Sequence, residues 1–169
     1  LGSNTSKVMV SERTALKNEI PFRVLSQSSY SCRLLPSCDQ SKRVIEKGML
    51  DRLLHCLQQI RSQLSDQSVE RIEAVGTAAF RLADNALEVV EQIYLKTGIS
   101  VRVLSGSEEA QAVARGLLCD PELSQWDQFV AFDLGGGSLE LLEVEGRALT
   151  LADSLPLGAV ALSQLFSGD

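Results

Sequence analysis

The chain has little histidine. Its single one, His55, sits among leucines in a helical pattern, where a structural or solvated role outweighs a catalytic one. It lacks long apolar runs, and none approaches the roughly 20 residues that a membrane helix needs. It lacks metal-type cysteine spacing. Cys32, Cys38, Cys56 and Cys119 match no metal site, and with nothing pointing to secretion they read as reduced thiols in a cytoplasm. It lacks an excess of positive charge: 16 Lys and Arg against 22 Asp and Glu leave −6, which argues against a nucleic-acid binder. No signal-peptide pattern heads the chain. It opens abruptly at Leu1, inside what reads as a motif, so residues before Leu1 are expected.

What is present is ordinary globular composition. Of 169 residues, 44% are hydrophobic and 22% charged, enough for one large or two small domains. The charge is uneven. Residues 1–61 hold 10 Lys and Arg against 5 Asp and Glu, a net of +5, and the remainder holds 6 against 17, a net of −11. A basic first third could face a polyanion while acids further on hold cations; the plainer alternative is chance asymmetry of solvated faces.

One stretch organises the rest: Asp133-Leu134-Gly135-Gly136-Gly137-Ser138-Leu139-Glu140. Apolar runs lead in from Phe129 to Phe132 and out from Leu141 to Val144, which reads as two antiparallel strands about a tight turn. Three adjacent glycines leave backbone N–H groups bare, the usual means of holding phosphate. Asp133 and Glu140 stand equidistant from the Gly136–Gly137 centre. In a symmetric hairpin they oppose each other on one face, roughly 5 Å apart at Cβ, and repel unless a cation lies between them. A glycine-rich turn with two solvated acids is the plainer reading of the same residues.

Along the chain, Leu1 to Ser6 reads as a small polar turn and Lys7 to Val10 as a strand. Arg23 to Leu25 and Ser31 to Leu35 read as further strands. Leu50, Leu53, Leu54, Leu57, Ile60 and Leu64 recur at helical spacing and predict a helix over 41–64, capped by Ser41 or Asp39. Val69 to Val75 alternates as a strand, and Gly76 to Arg81 follows as a loop. Asn85 with Glu88 fits a capping box for a helix over 85–97 that stops at Gly98. Ile99 to Leu104 is a strand, and Ser105 with Glu108 caps a helix to Leu118. Strand–helix–strand units imply parallel neighbours. From Phe129 the order restarts, with strands over 129–133, 139–145 and 148–155 and a helix from about Ala159. The turn at Gly2-Ser3-Asn4 echoes the one at Gly135 to Ser138. Residues 1–118 thus read as one α/β unit and 119–169 as the beginning of a second. Two such turns across a cleft would clamp a phosphate from both sides.

Four segments resemble the exopolyphosphatase and guanosine pentaphosphate phosphohydrolase family. They are Leu1-Gly2-Ser3-Asn4, Gly76-Thr77-Ala78-Ala79-Phe80-Arg81, Ser105-Gly106-Ser107-Glu108-Glu109-Ala110 and Asp133 to Glu140, with a weaker echo at Ser154 to Ala159. The resemblance implies the ribonuclease-H-like fold of the actin, heat-shock chaperone and sugar-kinase superfamily: a mixed five-stranded sheet with helices, then a second such unit. It implies that Gly2, Ser3 and Asn4 form one phosphate loop, and Gly135, Gly136, Gly137 and Ser138 the other. It implies magnesium at Asp133 and Glu140, a water-activating Glu109, and Arg81 at the cleft. Its substrates would be inorganic polyphosphate or guanosine pentaphosphate in the cytoplasm, with a homodimer as the candidate assembly and neither nucleic acid nor membrane as partner.

Glu109 also has a reading of its own. Ala110, Val113, Ala114 and Leu117 form a buried stripe, and Glu109 lies at its edge. A partly desolvated acid there is a usable base, while a solvated first-turn acid favoured by the helix dipole fits the same spacing. Arg81 likewise reads as either a cleft residue or a surface arginine beside a helix. The chain departs from the family pattern in four ways. No aspartate precedes Leu1, Gly76 stands for an alanine, Leu139 stands for a threonine, and residues 12–42 align poorly. The family's second domain continues past Asp169, so this stretch alone is expected to hydrolyse little. A kinase of the same superfamily and a non-enzymatic regulator are the rival readings; retention of Asp133, Glu140 and Glu109 speaks against the regulator.

Overall fold

The computed structural model describes residues 1–13, 22–34, 43–65 and 67–166. In chain order, strands β1 (Thr5–Arg13) and β2 (Phe22–Ser31) precede helix α1 (Lys47–Ser65). Strand β3 (Ala74–Gly76), helices α2 (Ala78–Leu82) and α3 (Ala86–Thr97), strand β4 (Val101–Val103) and helix α4 (Gly106–Leu118) follow. After a 3-10 turn at Leu123–Gln125 come β5 (Gln128–Leu134), β6 (Leu139–Glu145), β7 (Ala148–Leu155) and α5 (Ala159–Phe166).

The order of strands and helices follows the expected one, but the described strands before α4 form two ladders rather than one five-stranded sheet. β1 pairs antiparallel with β2, and β3 pairs parallel with β4. The strand expected over Ser31 to Leu35 does not continue the ladder. The N–H groups of Cys32 and Arg33 both turn to the Asn4 carbonyl, and that of Leu34 turns to Ser3. Leu35, with the expected caps Asp39 and Ser41, lies outside the described residues. The strand expected over 69–75 begins only at Ala74, because its partner β4 is three residues long. At the other end the Thr77 N–H meets the Leu1 carbonyl at 3.2 Å, which brings the start of the chain to the C-terminal end of β3.

Helix α1 forms on its apolar stripe and buries Leu53, Cys56, Leu57 and Ile60. It packs on α3, whose Val89 and Ile93 are buried. Gly98 ends α3 in the left-handed conformation, φ 69°, as expected of a glycine stop. The capping box at Asn85 is not made. The Asn85 amide is taken by the backbone of Ile45, receiving from its N–H at 2.9 Å and donating to its carbonyl at 3.0 Å. A tertiary partner has displaced the local one. At Ser105 nothing competes, and the box with Glu108 is complete.

The loop expected over 76–81 contains the short helix α2, whose first turn closes on the Thr77 carbonyl. Gly76 has a packing reason. A Cβ there would sit 2.8 Å from the ring of buried Phe80, so an alanine would displace that ring.

The second sheet runs β5-β6-β7, antiparallel throughout. β6 and β7 meet at Gly146 and Arg147, both with positive φ, the geometry of a two-residue hairpin turn. α4 covers one face of this sheet, with Ala110 and Ala114 against Leu142. No helix among the described residues is long and apolar enough to cross a membrane.

Candidate active site

The glycine turn is built as its sequence suggests. Phe129 to Leu134 and Leu139 to Val144 pair in register, with Asp133 directly opposite Glu140. Directly opposed residues of an antiparallel pair share a face. Glu140 is only 2% exposed, whereas Asp133 is exposed. The Gly135 N–H closes the turn on the Ser138 carbonyl at 2.9 Å.

The first loop touches the second. A Cβ on Gly136 would lie 3.3 Å from the Ser3 Cβ and 3.4 Å from the Asn4 Cβ. Ser3 and Asn4 are therefore packed directly against the turn. Gly2 donates to the Thr5 carbonyl at 3.1 Å, closing its own small turn. The Ser3 hydroxyl is buried and has no hydrogen-bond partner among the described residues. A buried, unsatisfied hydroxyl costs stability unless a ligand or water meets it.

Arg81, on α2, forms an ion pair with Glu109, on α4, through Nη1 and Oε2. The same Nη1 donates to the Leu104 carbonyl at 3.2 Å. Their side chains are 21% and 16% exposed, so the pair is largely screened from solvent. Glu109 stands at the edge of the α4 stripe, as its spacing suggests, but with a partner that spacing did not name. Glu108 is the capping acid. Hydrogen bonds from the Ser105 backbone and side chain, then from Arg102, hold its carboxyl below the usual range.

Of the residues expected at the site, Arg81, Gly137 and Ser138 line a cleft of about 200 Å³; Gly2, Ser3, Asn4, Glu109, Asp133, Gly135, Gly136 and Glu140 are not in its walls. Its walls are Ala78, Arg81 and Leu82 from α2, Gly106 from α4, Gly137 and Ser138 from the turn, and Ser154 to Pro156 from the end of β7. Sequence reasoning placed Ser154 only in the weaker echo and gave it no role. Its hydroxyl donates to Glu140 Oε1 at 2.8 Å. Its Cβ also lies 2.9 Å from where a Gly106 Cβ would be, so the first residue of α4 rests on it.

Two carboxylates could hold a magnesium ion that keeps most of its water. Glu140 Oε2 has no donor among the described residues, and Asp133 stands beside it in register. No group of three or more His, Cys, Asp or Glu that could hold a metal occurs among the described residues. The pair would therefore bind the ion with water and phosphate oxygens completing the shell, as magnesium commonly does.

The family model described as the Ppx/GppA phosphatase family matches residues 9–169. The chain belongs to this family. Among solved structures, an exopolyphosphatase from Cytophaga hutchinsonii is similar at 24% identity with a TM-score of 0.85, over 98% of this chain and 51% of that one. A Ppx/GppA family member from Aquifex aeolicus is similar at 22% identity with a TM-score of 0.77, over 98% and 52%. An exopolyphosphatase-like protein is similar at 20% identity with a TM-score of 0.83, over 97% and 51%. This Ppx/GppA chain thus spans about half the length of the solved structures it resembles. At these identities the likeness is one of fold, the ribonuclease-H-like α/β fold expected from the four segments.

Proposed function

We propose that this Ppx/GppA chain carries the catalytic cleft of a phosphoanhydride hydrolase that releases orthophosphate from the end of inorganic polyphosphate. Guanosine pentaphosphate is the alternative substrate. One observation carries the reading: two glycine-containing loops touch at Gly136 and Ser3, with the buried Ser3 hydroxyl left without a partner among the described residues. Such a pair suits the oxygens of a phosphate held from both sides.

In this reading the N–H groups of the Gly135–Ser138 turn and the Gly2–Asn4 loop hold the terminal phosphoryl group. Positioned donors of this kind stabilise charge that grows as the bridging P–O bond breaks. Asp133 and Glu140 would hold magnesium, which would withdraw charge from the phosphate oxygens when bound. Glu109 orients a water and takes its proton as the water oxygen bonds to the terminal phosphorus. The bridging oxygen leaves with the shortened chain. Arg81, which lines the cleft, keeps Glu109 fixed behind it, and a terminal phosphate can compete for its guanidinium.

Phosphate release from both substrates by the intact protein tests the reaction. Glu109→Gln should lower turnover by about 10²–10⁴-fold while tripolyphosphate binding stays nearly intact. Glu108→Gln should leave turnover close to wild type. An exchange of these phenotypes would assign the base to the wrong acid, and no release from either substrate would end the proposal.

A further inference from the structure

The segment from Ser154 to Ala159 faintly echoes the family pattern, and the cleft's lining accounts for only part of it. Its last glycine, Gly158, lines nothing, yet it lies against the glycine turn. A Cβ on Gly158 would sit 2.4 Å from the carbonyl carbon and oxygen of Gly136 and from the carbonyl carbon of Gly137. All three are backbone atoms, and none can move aside without moving the turn.

Helix α5 begins at the next residue, and its first N–H groups point into the turn. Ala159 donates to Gly135 at 2.9 Å, and Val160 and Ala161 donate to Gly136 at 2.9 and 3.1 Å. Only at Leu162 does a helical bond close, onto the Gly158 carbonyl at 2.8 Å. The unpaired donors at the start of a helix usually need a cap. Here the caps are the carbonyls of Gly135 and Gly136.

The consequence follows from peptide planarity. In a trans peptide the N–H points opposite to the preceding carbonyl, and no cis bond occurs among the described residues. The Gly135 carbonyl faces α5, so the Gly136 N–H faces away from it. The Gly136 carbonyl faces α5, so the Gly137 N–H faces away as well. Neither N–H has a partner among the described residues. On its other side the turn is stopped by Ser3 and Asn4.

We infer that Gly158 is a positioning residue: its missing side chain lets α5 seat on the turn's carbonyls, and this seating aims the Gly136 and Gly137 N–H groups at the bound phosphate. The inference rests on the reading of that turn as phosphate-binding. Gly158 itself touches no substrate.

Calorimetric titration of the intact protein with tripolyphosphate tests it, alongside thermal melting. Gly158→Ala should weaken binding at least about tenfold, the scale of one hydrogen bond to a charged group. Gly116→Ala is the matched control, since a Cβ there meets nothing within 4 Å; its affinity should equal wild type. Ala159→Pro gives a second route. It removes the donor to Gly135 at the helix position that tolerates proline best, so it should weaken binding with the melting temperature largely kept. Wild-type affinity in Gly158→Ala or in a folded Ala159→Pro overturns the inference while leaving the phosphate reading in place. A wild-type protein that does not bind tripolyphosphate overturns both.

Discussion

Glu140 shows how much one hydroxyl can decide. A carboxylate that is 2% exposed has lost nearly all its water, and its sole donor among the described residues is Ser154 Oγ. Removing that donor leaves a buried acceptor unmet, which costs about 1–3 kcal/mol. Ser154→Ala should therefore lower stability by that amount in denaturant titrations. If Glu140 holds magnesium as proposed, the change should also raise the magnesium concentration needed for half-maximal turnover, since Glu140 loses the bond that orients it. A variant with wild-type stability and magnesium dependence would show that Ser154 is a bystander. Ser154 was hard to read from sequence for a definite reason. Counting pairs outward from the Gly146–Arg147 turn puts Asp153 opposite Glu140. The register slips between Glu143 and Val144, and the true partner is Ser154. The bulge falls at Thr150, whose hydroxyl donates to the Glu143 carbonyl at 3.1 Å. A β-bulge of this kind leaves no periodic signature. Asp133 and Glu140 were legible because a symmetric turn with no bulge joins them.

At the scale of elements, local signals held where no distant group competed for them. The box at Ser105 formed and the box at Asn85 did not, although both sequences satisfy the same rule. The difference is the backbone of Ile45, about 40 residues away in sequence, which no local pattern can announce. The Ser105 box makes a pH prediction. Hydrogen bonds from Ser105, then from Arg102, hold its Glu108 carboxyl below the ordinary glutamate value of 4.5. A depressed folded-state pKa gives stability that is fully present above the unfolded value and lost as pH falls through the folded one. The N-terminal turn of α4 should therefore weaken below pH 4.5. Glu108→Gln keeps a side chain that can complete the box but does not titrate, so its melting temperature should lose less than wild type over that interval. Parallel pH profiles for the two proteins would place the acid sensitivity elsewhere. The same helix carries Glu109 to Arg81, so fraying at Ser105 should also loosen the Arg81–Glu109 pair.

For the whole molecule, the apolar stripe of α4 was legible but its partner was not, because periodicity names a buried face without naming what buries it. α4 follows β4 in the chain, yet it packs on the second sheet, with Ala110 and Ala114 on Leu142. That supplies one cover for three antiparallel strands. The other face stays bare: Val130, Phe132, Leu134 and Leu151 point outward, and Phe132 is 68% exposed. Burial is correspondingly uneven. Among the described residues, 14 buried side chains form the cluster around α1, α2 and α3, and three form the cluster beneath α4. Local opening free energies follow buried apolar contact. The amides of β5, β6 and β7 in this chain should therefore exchange faster than those of α1, with β5 fastest, since it lies at a sheet edge and carries the bare residues. Ligation by tripolyphosphate should slow exchange most at Gly136 to Ser138, where the phosphate would be held, and little in α1. Equal protection of the sheet and α1 in the unligated protein would mean that something covers the bare face, and its most direct sign would be a mass in solution greater than that of one chain.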